Sequence, residues 1–349
     1  MHSSESIRTV LERHCPTTTS SLRCCLAAAA AASRSCLRGQ VVSLMMTSFA
    51  APAGRISPSQ LLSKVVLCIF LCHAVTGASF GPCTTKGTCI NVLNNCSAAF
   101  RVHGWNNAAP KYTLQPDNYN LLPGAVMQYS VPSTWAAARV EAHLENGLYD
   151  KVELTVGGGF INYDITYVDY IAIPSAMQAI GLTCKQGPGC YVPRAQLLAK
   201  CPSHLLASNG SQCISAGLYC SYSAHMQTPF CHALDKQIAI CAAAAPSTCG
   251  LGAKDTTDNA YSCSGYFDGQ PGHPDGNKWC AALNRGMLQD PESSNASKYY
   301  VVPPYNAFAK FVHTVCPGIY AFPYDDYHGQ GGDRSCVSNR LDITFCPRG

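Results

Sequence analysis

Charge is scarce in this chain: Asp, Glu, Lys and Arg together make up 13% of its 349 residues. The formal net charge of +4 is concentrated at the front. Residues 1–78 carry seven Lys and Arg against two acids, whereas residues 79–349 carry seventeen against eighteen. The body therefore lacks the basic footprint of a nucleic-acid-binding protein. Long apolar runs are missing too. Val65–Val75, VVLCIFLCHAV, has eleven residues, where a membrane span needs about 20. GGGF at Gly157–Phe160 has neither the Lys nor the following helix of a nucleotide loop and reads as a turn. No Ser-His-Asp order is present. His225, Cys231, His232 and Cys241 lie close together but fit no strong zinc spacing, and in an oxidising compartment disulfides take such cysteines. No metal and no cofactor are expected.

Cysteine, by contrast, is abundant, at 22 residues. Low charge with many cysteines indicates a secreted, disulfide-bonded protein. Val65–Val75 is preceded by Lys64 and followed by small residues, as in a signal-peptide h-region, with cleavage expected after Ala78. The Ser-, Ala- and Arg-rich stretch before it reads as sequence upstream of a true start at Met45 or Met46 rather than as a transit peptide. Residues 1–78 are thus expected to be a presequence, with the signal peptide near 46–78 and the mature protein extracellular or in the cell wall. Six cysteines fall in the presequence and sixteen remain, an even number consistent with full pairing. Asn209 (NGS) and Asn295 (NAS) are plausible glycosylation acceptors, and Asn95 (NCS) a weaker one beside Cys96.

From Cys83 to Cys184 the pattern is one of short strands. Ile90–Leu93, Ala99–Val102, Tyr112–Leu114, Ala125–Val131 and Ala138–Ala142 are separated by turn residues, which indicates a β-sandwich. Lys151–Pro174, KVELTVGGGFINYDITYVDYIAIP, holds three carboxylates. Val152, Leu154 and Val156 alternate with Lys151, Glu153 and Thr155, so Glu153 faces away from the apolar side. After the glycines, Tyr163 and Ile165 share one face, and Asn162, Asp164 and Thr166 share the other. Asp169 follows Asp164 at an odd separation, so a turn or bulge must intervene if both line one surface. From Cys184 to Cys280 cysteines are frequent and strand alternation disappears. VPRAQLLAKC, PFCHALDKQIAIC and KWCAALNRGML have helical spacing, in a region held by disulfides more than by a large core. The tail returns to alternation at Tyr320, Phe322 and Tyr324, then at Leu341, Ile343 and Phe345.

Glu153, then Tyr163-Asp164-Ile165-Thr166-Tyr167-Val168-Asp169-Tyr170, with Ile173-Pro174 before Met177, resembles the core pattern of the thaumatin-like family, which includes osmotin and pathogenesis-related proteins. PPYNAFAKFVHTVCPGIYAFPYDD and the closing LDITFCP resemble that family's C-terminal segments. The resemblance covers about Thr88 to Gly349. It implies a mainly β fold, a thaumatin-like sandwich with a disulfide-rich insertion. Residues 79–183 would form its first part, 184–302 the insertion, and 303–349 a C-terminal helix and strands completing the sandwich. It also implies bridges Cys96–Cys346, Cys184–Cys336, Cys190–Cys316 and Cys201–Cys213, with Cys83 and Cys89 paired locally. Cys220, Cys231, Cys241, Cys249, Cys263 and Cys280 are left with fifteen possible pairings.

The function implied is recognition of cell-wall β-1,3-glucan in an acidic cleft, in defence or wall remodelling, with weak endo-hydrolysis open. Glu153 would be the general acid, and Asp164 or Asp169 would position or deprotonate a water. Glycoside hydrolysis needs such a pair of carboxyl groups. Tyr163, Tyr170 and Tyr327 would offer faces to sugar rings. His143 would take the place of a cleft Arg, with Arg139 four residues earlier, and Asp325 and Asp326 would stand near the cleft. Gly318 occupies the position of a further family Asp. The competing class is an inhibitor of a foreign hydrolase. The protein is expected to be a monomer.

Overall fold

A period of two in the side chains and a two-glycine turn determine the centre of this molecule. The computed structural model describes residues 80–83, 87–222, 224–225, 228–233, 236, 257–272, 274–303, 305–328 and 330–348. The presequence, with its h-region and cleavage point, lies outside the described residues, as do Cys241 and Cys249. Strand β6 (Tyr149–Gly157) alternates residue by residue between buried and half-buried positions, with Val152, Leu154 and Val156 inward. Strand β7 (Phe160–Ile165) buries Ile161, Tyr163 and Ile165 in the same way. Gly157 pairs with Phe160, leaving Gly158 and Gly159 as a two-residue loop. Both have positive φ, 57° and 83°, which suits the tight twist of a hairpin turn and is free of a Cβ penalty in glycine. That turn sets the register, and the register places Glu153 directly opposite Asp164.

Two larger sheets form around this hairpin. The first has six strands in the order β11-β7-β6-β5-β2-β3, with β2 at Phe100–Asn106, β3 at Tyr119–Leu121, β5 at Ala138–His143 and β11 at Arg334–Val337. The second has the order β4-β1-β12-β9, with β1 at Thr88–Asn94, β4 at Val126–Val131, β9 at Ser175–Ala179 and β12 at Arg340–Phe345. Strands β1 and β12 run parallel. The inner faces share one core that includes Ile90, Val92, Val140, Val152, Ile343 and Phe345. Phe100 of one sheet meets Phe345 of the other edge-on, with ring centres 5.3 Å apart. The result is a two-sheet, mainly β body, as the strand pattern implied.

Some expectations require correction. Tyr112–Leu114 forms no strand but a single bridge, Trp105 to Thr113. Tyr320–Tyr324 is a turn segment attached to Thr166 only at Tyr320. Its alternation fails because Tyr324 adopts φ 61° and turns the chain toward a buried Asp325. Helices occur at Arg194–Ala199, Ala216–Ser221, Thr257–Ser262, Gly276–Arg285 and Ala307–Val315. The last is capped by Asn306, whose side chain accepts from Ala309 N.

Disulfides join Cys83–Cys89, Cys96–Cys346, Cys184–Cys336, Cys190–Cys316 and Cys201–Cys213. Two further bridges, Cys220–Cys231 and Cys263–Cys280, decide pairings that the sequence left open. No helix among the described residues is long and apolar enough to cross a membrane. Asn209 and Asn295 are exposed, and each Oδ1 accepts from the hydroxyl of the Ser two residues on, at 2.5 and 2.7 Å.

Candidate active site

The outward face of the six-stranded sheet carries the acids. Glu153 on β6 and Asp164 on β7 are cross-strand partners, and such partners have Cβ atoms about 5 Å apart. Burial, followed by the charges of Glu153, Asp333 and Asp326, pushes the Asp164 carboxyl up to about 8. Asp164 therefore holds a proton at neutral pH. Among the described residues, no ion pair reaches either of them. One consequence concerns stability. The native state favours protonated Asp164, so its contribution falls as pH rises from about 4 to about 8. Asp164→Asn removes that penalty. Relative to wild type, its melting temperature should rise as pH goes from about 5 to about 8; a constant difference between the two proteins would show that Asp164 is not perturbed.

Asp169 comes to this face by a turn after β7. Its Oδ2 lies 3.2 Å from Lys151 Nζ on the same outer row as Glu153. The backbone around it is fastened at several points. Ser215 N donates to Asp169 O at 2.8 Å. Tyr170–Ile171, strand β8, pairs with Cys213–Ile214, strand β10, beside the Cys201–Cys213 bridge. Asp150, on the inward side of β6, accepts from Ala172 N at 2.7 Å and from Ile173 N. Its burial pushes its own carboxyl well up, opposed by those two N–H groups. A small pocket between these strands is lined by Tyr149, Lys151, Thr166, Asp169 and Tyr170. Asp326 and Asp333 are exposed beyond Asp164, and Asn162 donates to Asp333 Oδ1 at 2.6 Å.

On the other side of Glu153 the same face is basic and aromatic. Arg139 on β5 is the register partner of Glu153, but its guanidinium carbon sits 4.0 Å from the Trp105 ring centre and its Nε 2.6 Å from Glu141 Oε1. His143 is not beside Glu153. The register sets it opposite Tyr149, stacked on that ring at 4.8 Å, with Nε2 2.6 Å from Glu141 Oε2. Period two in β5 places Arg139, Glu141 and His143 on one face, so this row was readable in ARVEAH. Tyr170 meets Tyr149 edge-on at 6.0 Å.

Other expected site residues lie elsewhere. Tyr163 is 1% exposed in the core, with its hydroxyl accepting from Ala179 N, so it presents no face to a sugar. Asp325 is 0% exposed and serves as the anion of a buried cluster. Arg285 Nη2 lies 3.1 Å and His313 Nε2 2.6 Å from its carboxylate, and Ala321 N donates to it at 2.9 Å. Tyr327 is half-buried and donates to Glu292 Oε2 at 2.9 Å. Gly318 has φ 79°, and its carbonyl packs so closely on Gly332 that a Cβ there would lie 1.5 Å from it.

The similarity to known proteins overturns the thaumatin-like reading. The family described as Beta-1,3-glucanase, glycoside hydrolase family 64, matches residues 241–341. A β-1,3-glucanase domain of that family from Clostridium beijerinckii aligns with TM-score 0.58 at 16% identity, covering 76% of this chain and 100% of its own. A laminaripentaose-producing β-1,3-glucanase in complex with laminaritetraose aligns with TM-score 0.58 at 14% identity, covering 76% and 99%. A laminaripentaose-producing enzyme of the family from Paenibacillus barengoltzii, complexed with laminarihexaose, aligns with TM-score 0.51 at 16% identity, covering 78% of both chains. No curated protein matches the chain. At these identities the structures show a shared β-rich fold. They do not support a thaumatin-like sandwich in particular, nor the inhibitor reading. The motif resemblance failed because the quoted pieces sit on local features, namely a strand pair, a helix with its bridge and a closing strand.

Proposed function

We propose that this protein is a secreted hydrolase of β-1,3-glucan. The observation that carries the reading is the proton held on Asp164 beside Glu153, with Asp169 paired to Lys151 on the same face. The family match and the fold shared with β-1,3-glucanases support the substrate class. In the reaction the glycosidic C–O bond breaks and its oxygen takes the proton that Asp164 holds, passed on through Glu153. Water adds to the anomeric carbon and gives its proton to Asp169. Trp105, Tyr149 and Tyr170, partly exposed on this face, offer apolar surface to sugar rings.

The test is release of reducing ends from soluble and insoluble β-1,3-glucan, with a β-1,4-glucan as control. Activity should decline as pH rises through about 8, where Asp164 loses its proton. Retention on insoluble β-1,3-glucan with no reducing ends at any pH would instead establish a binding protein, and neither retention nor release would reject the substrate class.

A further inference from the structure

Arg139 and Glu153 face each other across β5 and β6, and opposite charges in that position ordinarily pair. Here they do not. The guanidinium lies over Trp105 and forms an ion pair with Glu141, two residues along its own strand, its Nε 2.6 Å from Oε1 without hydrogen-bond alignment. Glu141 is 3% exposed although it points to the polar side of the sheet. A carboxylate in that position is costly unless compensated, and two side chains approach it: the Arg139 guanidinium at Oε1 and the His143 imidazole at Oε2. Against the opposing effect of burial, the His143 hydrogen bond, then Arg139, and more distantly His103, hold the Glu141 carboxyl below its ordinary range. Being ionised, Glu141 can only accept, so His143 Nε2–H donates. His143 is held in turn by its stack on Tyr149.

We propose that Glu141 is a positioning residue that draws the Arg139 guanidinium onto Trp105 and away from Glu153, leaving the acid pair without a neutralising cation. The arrangement explains why a carboxylate is buried on a face where solvent would stabilise it. Other charges around Glu153 do not substitute for Arg139. Lys151 on its own strand pairs with Asp169 and lowers Asp164 less than burial and the neighbouring acids raise it, and Asp164, Asp326 and Asp333 on the far side are all acids. Around Glu141, His103 is engaged by Asp117 at 2.5 Å, and Lys151, its register partner on β6, is the same lysine that pairs with Asp169.

The inference rests on the proposed function's assignment of Asp164 as the proton holder beside Glu153, and its test does not require turnover. Carboxyl carbon shifts of Glu153 and Asp164 are followed by NMR against pH in wild type, Glu141→Gln, Arg139→Gln and the double variant. In Glu141→Gln the freed Arg139 pairs with Glu153, and the midpoint of the pair should drop by about one unit or more, the usual effect of a neighbouring Arg on a carboxylate. Removing Arg139 as well should restore the wild-type midpoint, a rescue that a merely structural role for Glu141 would not give. An unchanged midpoint in Glu141→Gln, or a drop that persists in the double variant, overturns the proposal. If Glu141→Gln does not fold, Arg139→Lys serves in its place. The ammonium lacks the planar Nε contact and the flat stack on Trp105, so it should reach Glu153 and lower the midpoint in the same direction; no shift would overturn the proposal. Reducing-end release measured on the same proteins keeps the two readings separate. Shifts as expected without turnover would reject the hydrolase reading alone, and turnover with unmoved midpoints would reject the role of Glu141 alone.

Discussion

Glu153→Gln is expected to lower β-1,3-glucan hydrolysis by roughly 10²–10⁴-fold, the usual value of acid–base catalysis, with little change in glucan retention. The substitution keeps the size of the side chain and its hydrogen-bonding atoms and removes only the exchangeable carboxyl proton. Glu153 lies on the outward face of β6, half-buried, while the inward residues Val152 and Leu154 hold the strand in the core. The fold should therefore tolerate the change. Reducing-end assays and retention on insoluble glucan, run on one preparation, separate the two effects. A variant with unimpaired turnover would remove Glu153 from the chemistry. One that loses retention and turnover in equal measure would make it a binding residue.

The second large effect is expected in the buried cluster around Asp325. Arg285 is 2% and Asp325 0% exposed, and the guanidinium also donates to the Tyr327 and Asp325 carbonyl oxygens. The Arg285 guanidinium packs over Tyr299 and Phe322. His313 completes the cluster, its Nδ1 2.7 Å from Tyr300 Oη. Asp325→Ala leaves a buried guanidinium uncompensated, and breaking such a pair from one side costs about 3–5 kcal/mol. Melting temperature should drop by about 10 °C, at roughly 2–4 °C per kcal/mol for a protein of this size. The damage should extend to the acidic face, because the segment from Tyr320 to Tyr327 carries Asp326 and is bridged to β7's continuation at Thr166. Arg285→Met, which removes the charge and keeps apolar volume, should cost less than Asp325→Lys. A loss below about 1 kcal/mol for Asp325→Ala would mean that the pair is effectively solvated.

Parts of the site were legible because a strand repeats every two residues. The alternation in KVELTV separated Glu153 from the core, and the odd spacing of Asp164 and Asp169 called for the turn that is present. The same alternation already put Tyr163 with Ile165 on the apolar side, so its use as a sugar platform conflicted with its own pattern. Glu141 was within reach by the identical logic, since Arg139, Glu141 and His143 are spaced by two. What concealed it was burial, which no local pattern gives to a glutamate on a polar face. Asp325 was illegible for a different reason. Its partners Arg285 and His313 lie 40 and 12 residues away in sequence, on two helices whose packing had first to be known. A pair of aspartates after a Tyr-Pro-rich stretch looks like a solvated turn until that packing is seen.

The parallel pairing of β1 with β12 has a consequence for how the chain is made. The two strands lie side by side at the centre of the four-stranded sheet, and the Cys96–Cys346 bridge that ties them spans 250 residues. At roughly 5–20 residues per second of synthesis, β1 waits on the order of tens of seconds for its neighbour. During that interval only β4 covers it, on one edge, and the open edge can pair with other nascent chains. Strands β5, β6 and β7 have no such wait, because each pairs with the next in sequence. The acidic face is thus drafted early, on a sheet whose back is closed last. Yield of folded protein should accordingly depend more on protection of the early β1 edge than on any property of the acidic face.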